Sequence, residues 1–275
     1  MDAPEPVPGL PGATMRRVAE LPSHLPDGKP AGQFTHAIPG LALMVMPGTG
    51  IFLARDGSTI EFTEEPQADS GAVALYLNGS ARGALIHQRG ELPLHAATLV
   101  PPGGDKALAI CGRSGAGKST LAAELSRRGW ALVADDTTRV TWDGARAIAW
   151  PSRDTIKLWK DACEMAGIDM AALQRVMRNM DKYYIRVTSH GRPVPLGWIL
   201  ELTPDGAVDL LSAGDKMALV TRNTYRPAQI RPLGMEREHV RIVAQTASAT
   251  TVFRLPGDRS LSLAALADAV EKAVR

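Results

Sequence analysis

Only two cysteines, Cys111 and Cys163, occur in 275 residues, so no disulfide framework braces this chain. Cys111 sits in an apolar run and reads as a small buried side chain rather than a disulfide partner. Aromatic residues make up 5% of the chain and no basic stripe interleaves with them, which argues against a nucleic-acid surface. The formal net charge is +2, so charge alone implies no polyanionic partner. No apolar run is long enough to span a bilayer, and Met1-Asp-Ala-Pro-Glu-Pro6 lacks a signal-peptide pattern. The expectation is a soluble, cytoplasmic protein without a membrane or nucleic-acid partner, long enough to bury a large core.

What the chain does have is Gly112, Arg113, Ser114, Gly115, Ala116, Gly117, Lys118 and Ser119, followed by Thr120. This fits G-x-x-x-x-G-K-[ST], the phosphate-binding loop. The apolar run from Ala107 predicts a buried strand before it. Leu121, Ala122 and Leu125 predict a helix from Ser119 to Arg128, stopped at Gly129. The glycines let backbone N–H groups turn inward on a polyphosphate, and the helix N-terminus adds partial positive charge. Lys118 is expected on the β- and γ-phosphates, and the Ser119 hydroxyl on Mg²⁺. The next apolar strand, from Trp130, ends in Asp135 and Asp136. Carboxylates at a strand end beside such a loop can hold Mg²⁺ directly or through water. ATP and Mg²⁺ are therefore the expected cofactors.

Residues 1–33, rich in proline and glycine without periodicity, read as a loose or surface-wrapping arm. Residues 34–90 read as a β-rich N-terminal unit, with strands Leu41–Met46, Gly50–Arg55 and Thr59–Thr63 and a hairpin turn at Asp56-Gly57. An apolar segment, Val73–Leu77, and a short helix from Ala81 to Gln88 follow. Residues 91–275 read as the catalytic domain. Within it, Leu94 to Val100 predicts a strand antiparallel to the loop strand and carrying His95. Asp143-Gly144 marks a hairpin, and Ile156–Ala166 and Met170–Met180 read as helices split at Gly167. Tyr183–Thr188, Trp198–Leu202 and Thr251–Leu255 read as strands. Gly214–Arg222, Val240–Ala249 and Leu263–Val274 read as helices, the last presenting Leu266, Val270 and Val274 on one face.

The run from Leu94 to Asp136 resembles the catalytic domain of HPr kinase/phosphorylase: a histidine strand, the loop, and Arg128-Gly-x-x-Leu-Val-Ala-Asp135-Asp136. The resemblance implies an α/β fold of the HPr kinase/phosphoenolpyruvate carboxykinase-like type and transfer of phosphate to a serine hydroxyl. Outside that core the chain departs from the family, and only Lys182-x-x-Ile-x-Val, Gly191-Arg192 and Ile-x-Glu201 echo its second catalytic loop. Pro151-Ser-Arg-Asp-x-Ile-Lys157-Leu-Trp and Asn223-Thr-Tyr-Arg-Pro227 look like the shorter kinases of lasso-peptide gene clusters, which phosphorylate the C-terminal serine of a precursor peptide. By this resemblance Asp135 would accept the serine proton and Asp136 would join the metal shell or orient its neighbour, a division open to reversal. His95 would tune or orient a carboxylate. Arg192, Lys182, Arg153 and Lys157 are the candidates for a cation opposite Lys118. The family often forms oligomers, so a homo-oligomer is implied as well.

Two other readings share the loop. One is a kinase of free serine or another small hydroxylated metabolite. The other is a regulatory P-loop ATPase; the transporter ATPases of that kind need a Leu-Ser-Gly-Gly-Gln signature, which this chain lacks.

Overall fold

The Asp56-Gly57 turn forms as expected: both residues take positive φ, 49° and 65°, closing Gly50–Arg55 antiparallel on Thr59–Glu64 with Arg55 opposite Thr59. Such left-handed turn residues match the twist of the flanking strands. This is the middle of a seven-stranded sheet in a computed structural model that describes residues 3–204, 211–257 and 261–274. The chain divides into two compact units. The first is the chain up to Pro93 with Arg175–Asp181 and Tyr225–Arg241; the second is Leu94–Gln174, Lys182–Thr224 and the chain from Ile242. The units interleave along the sequence, so residues 91–275 are not one uninterrupted piece.

In the first unit, Leu41–Met46 and Thr35–Ile38 extend the sheet on one side of the hairpin. On the other side Thr14–Arg17 runs parallel to Thr59–Glu64. Within the described part of this stretch, expected as a loose or surface-wrapping arm, Glu5–Pro6, Thr14–Arg17 and Lys29–Pro30 pair in the sheet. Val7, Leu10, Ala13 and Ala31 are buried, and the Val7 N–H donates to Ala13 O at 3.0 Å. Single apolar residues spaced by prolines and glycines leave no period to read, yet each has a place in the core. The Val73–Leu77 segment is helical. Asp69 caps the helix Ser70–Tyr76 by accepting from Gly71 N at 2.9 Å. The chain continues through a π-turn to the helix Arg82–Gln88. Val73, Leu77, Leu85 and Ile86 pack on Phe52, Ile60 and Met44 of the sheet.

The second unit is organised on Val194–Thr203. This strand runs parallel both to Ala107–Gly112 and to Thr251–Pro256, and its first residues pair antiparallel with Ala147–Trp150. Ala147–Trp150 forms the expected hairpin with Thr138–Trp142. Ala97–Val100 lies antiparallel to the loop strand, with Ala97 opposite Ile110. Ala131–Ala134 then pairs with Ala97–Val100. The acidic strand is therefore parallel to the loop strand but one strand removed from it, and the helix Lys118–Arg127 crosses over the intervening strand. Leu121, Ala122 and Leu125 of this helix meet Leu266, Ala267 and Val270 of the terminal helix Leu263–Ala273 in one core with Trp130.

Of two expected helices, one is cut to its second half and the other is absent. Thr155–Trp159 is a strand paired antiparallel with Met180–Arg186, and only Lys160–Met165 is helical. Residues 170–180 hold no helix; Arg175–Met177 is a short strand. The alternation in Thr155-Ile-Lys-Leu-Trp159 is the reason: Ile156 and Leu158 are buried while Lys157 and Trp159 face the other way, a period of two rather than 3.6. Among the described residues no helix is long and apolar enough to cross a membrane.

Candidate active site

Residues 112–119 form a loop between the Ala107–Gly112 strand and the Lys118–Arg127 helix. Gly112, Gly115 and Gly117 have φ of 140°, 85° and 89°. At Gly115 and Gly117 an added Cβ would meet nothing within 4 Å, so conformation rather than space calls for glycine. At Gly112 space decides too, because a Cβ would stand 2.8 Å from Leu202 O. The Lys118 side chain folds back over the loop. Its Nζ donates to Gly112 O at 2.8 Å and Arg113 O at 3.3 Å. Burial lowers its pKa, against the pull of both aspartates.

Asp135 and Asp136 follow the Ala131–Ala134 strand and occupy different surroundings. Asp135 Oδ1 accepts from the Ser119 hydroxyl at 3.3 Å, and Oδ2 accepts from the Lys157 main-chain N–H at 2.9 Å. Burial, reinforced by the neighbouring Asp136 charge, raises its pKa despite Lys157. Asp136 Oδ2 accepts from Lys157 Nζ at 2.6 Å. Burial would raise this carboxyl too, but the Lys157 ammonium and its hydrogen bond outweigh it and hold the pKa at about 2. The same pairing raises Lys157 against its own burial. Asp136 sits at φ 69°, a left-handed conformation that a non-glycine residue adopts at a cost. His95 meets it there: Nδ1 is 2.8 Å from Asp136 O and 3.6 Å from Oδ1. A carbonyl only accepts, so Nδ1 carries the hydrogen. Burial and the Lys118 charge lower the His95 pKa.

The expected site residues thus separate into two groups. His95, the loop from Ser114 to Thr120, Asp135, Asp136, Lys157 and Lys182 line one cavity of about 800 Å³. Gly112, which is buried, and Arg113, Arg153 and Arg192, which are exposed, are outside its lining. Of the four cation candidates, then, the two lysines reach the cavity. Lys157 does so because its strand places it opposite Tyr184 and beside the aspartates. Lys182 lies 5.2 Å from the Trp159 ring centre, and burial lowers its pKa. The cavity has a second, apolar wall of Leu158, Trp159, Met165, Leu261 and Leu263. Trp159 and Met165 are 49% and 66% exposed, which puts large apolar side chains at its rim. Sequence reasoning did not assign these residues, and the misread helix at 156–166 hid the alternation that presents Trp159.

The residues present fit a nucleotide and its magnesium. The loop has open space at Gly115 and Gly117 and a lysine already turned onto its backbone, and Ser119 with Asp135 beside it presents oxygens of the hard kind Mg²⁺ prefers.

No family model matches the chain, and no curated protein matches it. Among solved structures it is similar to the Hpr(Ser) kinase/phosphatase from Coxiella burnetii, at 20% identity over 43% of this chain and 63% of that one, with a TM-score of 0.28. The chain spans less than two thirds of that protein's length.

Proposed function

We propose that the protein is an ATP-dependent serine kinase that transfers the γ-phosphate to the C-terminal serine of a peptide, a lasso-peptide precursor. The observation that carries the reading is the aspartate pair beside the loop, one carboxylate on Ser119 and the other on Lys157 and His95. ATP supplies the phosphoryl group, and Mg²⁺ neutralises charge on its phosphates. Residues 112–119 hold those phosphates by main-chain N–H groups, and Lys118 turns from its own loop carbonyls onto the transferring group. Ser119 and Asp135, already within hydrogen-bond reach of each other, hold the metal. Asp136 is left to face the acceptor. It takes the serine proton as the serine oxygen gains the phosphoryl group and the bond to the β-phosphate oxygen breaks. A carboxylate held near pKa 2 is a weak base, but phosphoryl transfer asks mainly for positioning and charge neutralisation. His95 fixes the turn that aims Asp136, and Lys157 and Lys182 supply positive charge opposite Lys118.

The test is mass spectrometry after incubation with Mg²⁺-ATP and five acceptors: a serine-terminated precursor peptide, its C-terminal amide, its Ser→Ala form, free serine and the carrier protein HPr. Phosphate on the first peptide and none on the Ser→Ala form is the expected result. Phosphate on free serine or HPr but never on the peptide overturns the substrate assignment, and phosphate released only to water overturns the kinase.

A further inference from the structure

Four polar side chains from three separate stretches of the chain meet in the second unit, and one of them reaches Gly112. Glu201 stands in the central strand opposite Cys111, and its side chain is 8% exposed. Arg222 grips both of its oxygens, with Nε on Oε1 at 2.7 Å and Nη2 on Oε2. Arg254 Nε adds a contact to Oε2 at 3.3 Å. A carboxylate held this way fixes its neighbour. Asn223 Nδ2 donates to Glu201 Oε1 at 2.9 Å and to Leu219 O at 2.9 Å. With the amide nitrogen so committed, Oδ1 must point the other way, and there it accepts from Gly112 N at 3.1 Å. The main-chain oxygen of the same residue accepts from His95 N at 2.7 Å.

One buried residue therefore receives two N–H groups of the site. One begins the phosphate loop; the other belongs to the histidine that meets Asp136. A buried carboxylate paired with a half-exposed arginine is a poor way to gain stability, since apolar side chains of similar size do as well or better. This one instead fixes the orientation of an amide that reaches the loop.

We propose that Asn223 is a positioning residue that sets the phosphate loop in register with the His95–Asp136 pair, and that Glu201 with Arg222 holds it in place. The proposal rests on the phosphotransferase reading. Asn223 is not among the residues that line the cavity, so its loss should act on transfer more than on nucleotide grip. Asn223→Ala removes the acceptor at Gly112 and loosens the chain at His95. Asn223→Asp keeps the shape but loses the amide donor and sets a second carboxylate against Glu201. Two such carboxylates share a proton. At acidic pH the protonated aspartate donates to Glu201 while its other oxygen accepts from Gly112, which restores the native pattern.

The experiment combines amide hydrogen exchange with steady-state kinetics in Mg²⁺-ATP, using phosphate transfer to the serine-terminated peptide and to water. In Asn223→Ala the segments containing His95 and Gly112 should lose protection together. Its kcat should fall at least about tenfold, with a smaller change in KM for ATP. The kcat of Asn223→Asp relative to the parent should rise as pH falls from mildly alkaline to mildly acidic, while that of Asn223→Ala stays flat. A folded Asn223→Ala with parental protection at both segments and parental kcat overturns the proposal, as does an Asn223→Asp ratio that ignores pH. If neither variant folds, Arg222→Gln decides, because Arg222 is 43% exposed and its loss loosens Glu201 from outside. A fall in kcat with KM unchanged supports the role, and parental kcat overturns it. If the parent moves no phosphate from ATP to any acceptor, the kinase reading fails by itself. Exchange then judges the clamp alone: retained protection at either segment in the variants overturns it.

Discussion

Apart from the Arg16–Glu61 pair on the first unit's sheet, polar side chains drawn inside the two units meet different partners. In the first, such groups reach for main chain: Arg82 Nε donates to Pro8 O at 2.8 Å, and His87 Nε2 lies 2.9 Å from Tyr225 O. Each ties one segment to another through a main-chain oxygen. In the second unit charge is set against charge, as in Asp136 with Lys157 and Glu201 with Arg222. Removing charges from water costs several kcal/mol each, and pairing seldom returns a surplus. Fold stability therefore does not account for a cluster of charges around an open cavity. Perturbed titrations gathered in a cleft point to chemistry, and those of His95, Lys118, Asp135, Asp136, Lys157 and Lys182 gather around one cavity of the second unit. The first unit is read as shape, the second as a reaction site.

The sharpest way to break that comparison is Lys118→Ala. It removes the positive charge from the transferring group and leaves the loop backbone, so phosphoryl transfer should fall by roughly 10³-fold or more with the circular dichroism spectrum unchanged. A folded variant that transfers phosphate at the parental rate would remove the loop from the mechanism. The counterpart in the first unit is Phe52→Ala. Phe52 is fully buried between the sheet and the helical layer, so its truncation should destabilise that unit by about 3–5 kcal/mol. Faster amide exchange in the Gly50–Arg55 strand is the readout. Unchanged exchange there would mean the side chain carries no such packing.

Next come the two aspartates, which the proposed mechanism treats as unlike. Asp136→Asn should lower kcat by roughly 10²-fold with the Mg²⁺ requirement near parental. Asp135→Asn should raise the Mg²⁺ concentration needed for half-maximal rate by about tenfold or more. Mg²⁺ titrations of both variants check this, and identical defects leave no ground for separate roles.

How much of this was legible before the fold follows the distance over which each signal acts. The loop and the aspartate pair are contiguous, and their flanks carry a clean strand and helix pattern, so they could be read directly. The choice among Arg153, Lys157, Lys182 and Arg192 depends on which face of a strand each occupies. The strand itself was misread, because Ile156 and Leu158 precede the helical run Lys160–Met165 and the two patterns merge. The intervening strand Ala97–Val100 was read as a neighbour of the loop strand, but not as the separator of the loop from the acidic strand. Strand order is set by long-range pairing, and no local pattern encodes it. Val7, Leu10 and Ala13 failed for a related reason: one apolar residue per turn gives no period to detect. Glu201 entered as part of the Trp198–Leu202 strand and of a stretch with a resemblance, Asn223 only as part of such a stretch, and the link from Glu201 through Asn223 to Gly112 is a tertiary fact.

The smallest expected effect sharpens the comparison from the side of the first unit, where a titratable group is buried without a charge partner. His87 is 2% exposed. Burial, with the nearby His239 ring at 6.3 Å, drives its pKa down to about 4. His87 is therefore neutral in the folded state, whereas the unfolded chain takes up a proton near the ordinary value of 6.5. The unfolded state binds more protons on the acid side, so stability is fully present above about 6.5 and declines as pH falls toward the folded value. With these two values, the loss by about pH 5.5 is on the order of 1 kcal/mol. His239 adds to it in the same direction, since burial lowers its pKa as well. The control is His87→Gln, which keeps an N–H donor for Tyr225 O and does not titrate. Urea unfolding at pH 7 and 5.5 should show a smaller acid loss in this variant than in the parent when followed by far-UV circular dichroism. All five tryptophans lie in the second unit, so tryptophan fluorescence isolates that unit, and there the two proteins should show equal acid losses. An equal acid loss in both proteins by circular dichroism would remove His87 as its source. A difference that appears in tryptophan fluorescence would mean that the titration of His87 is felt in the second unit as well.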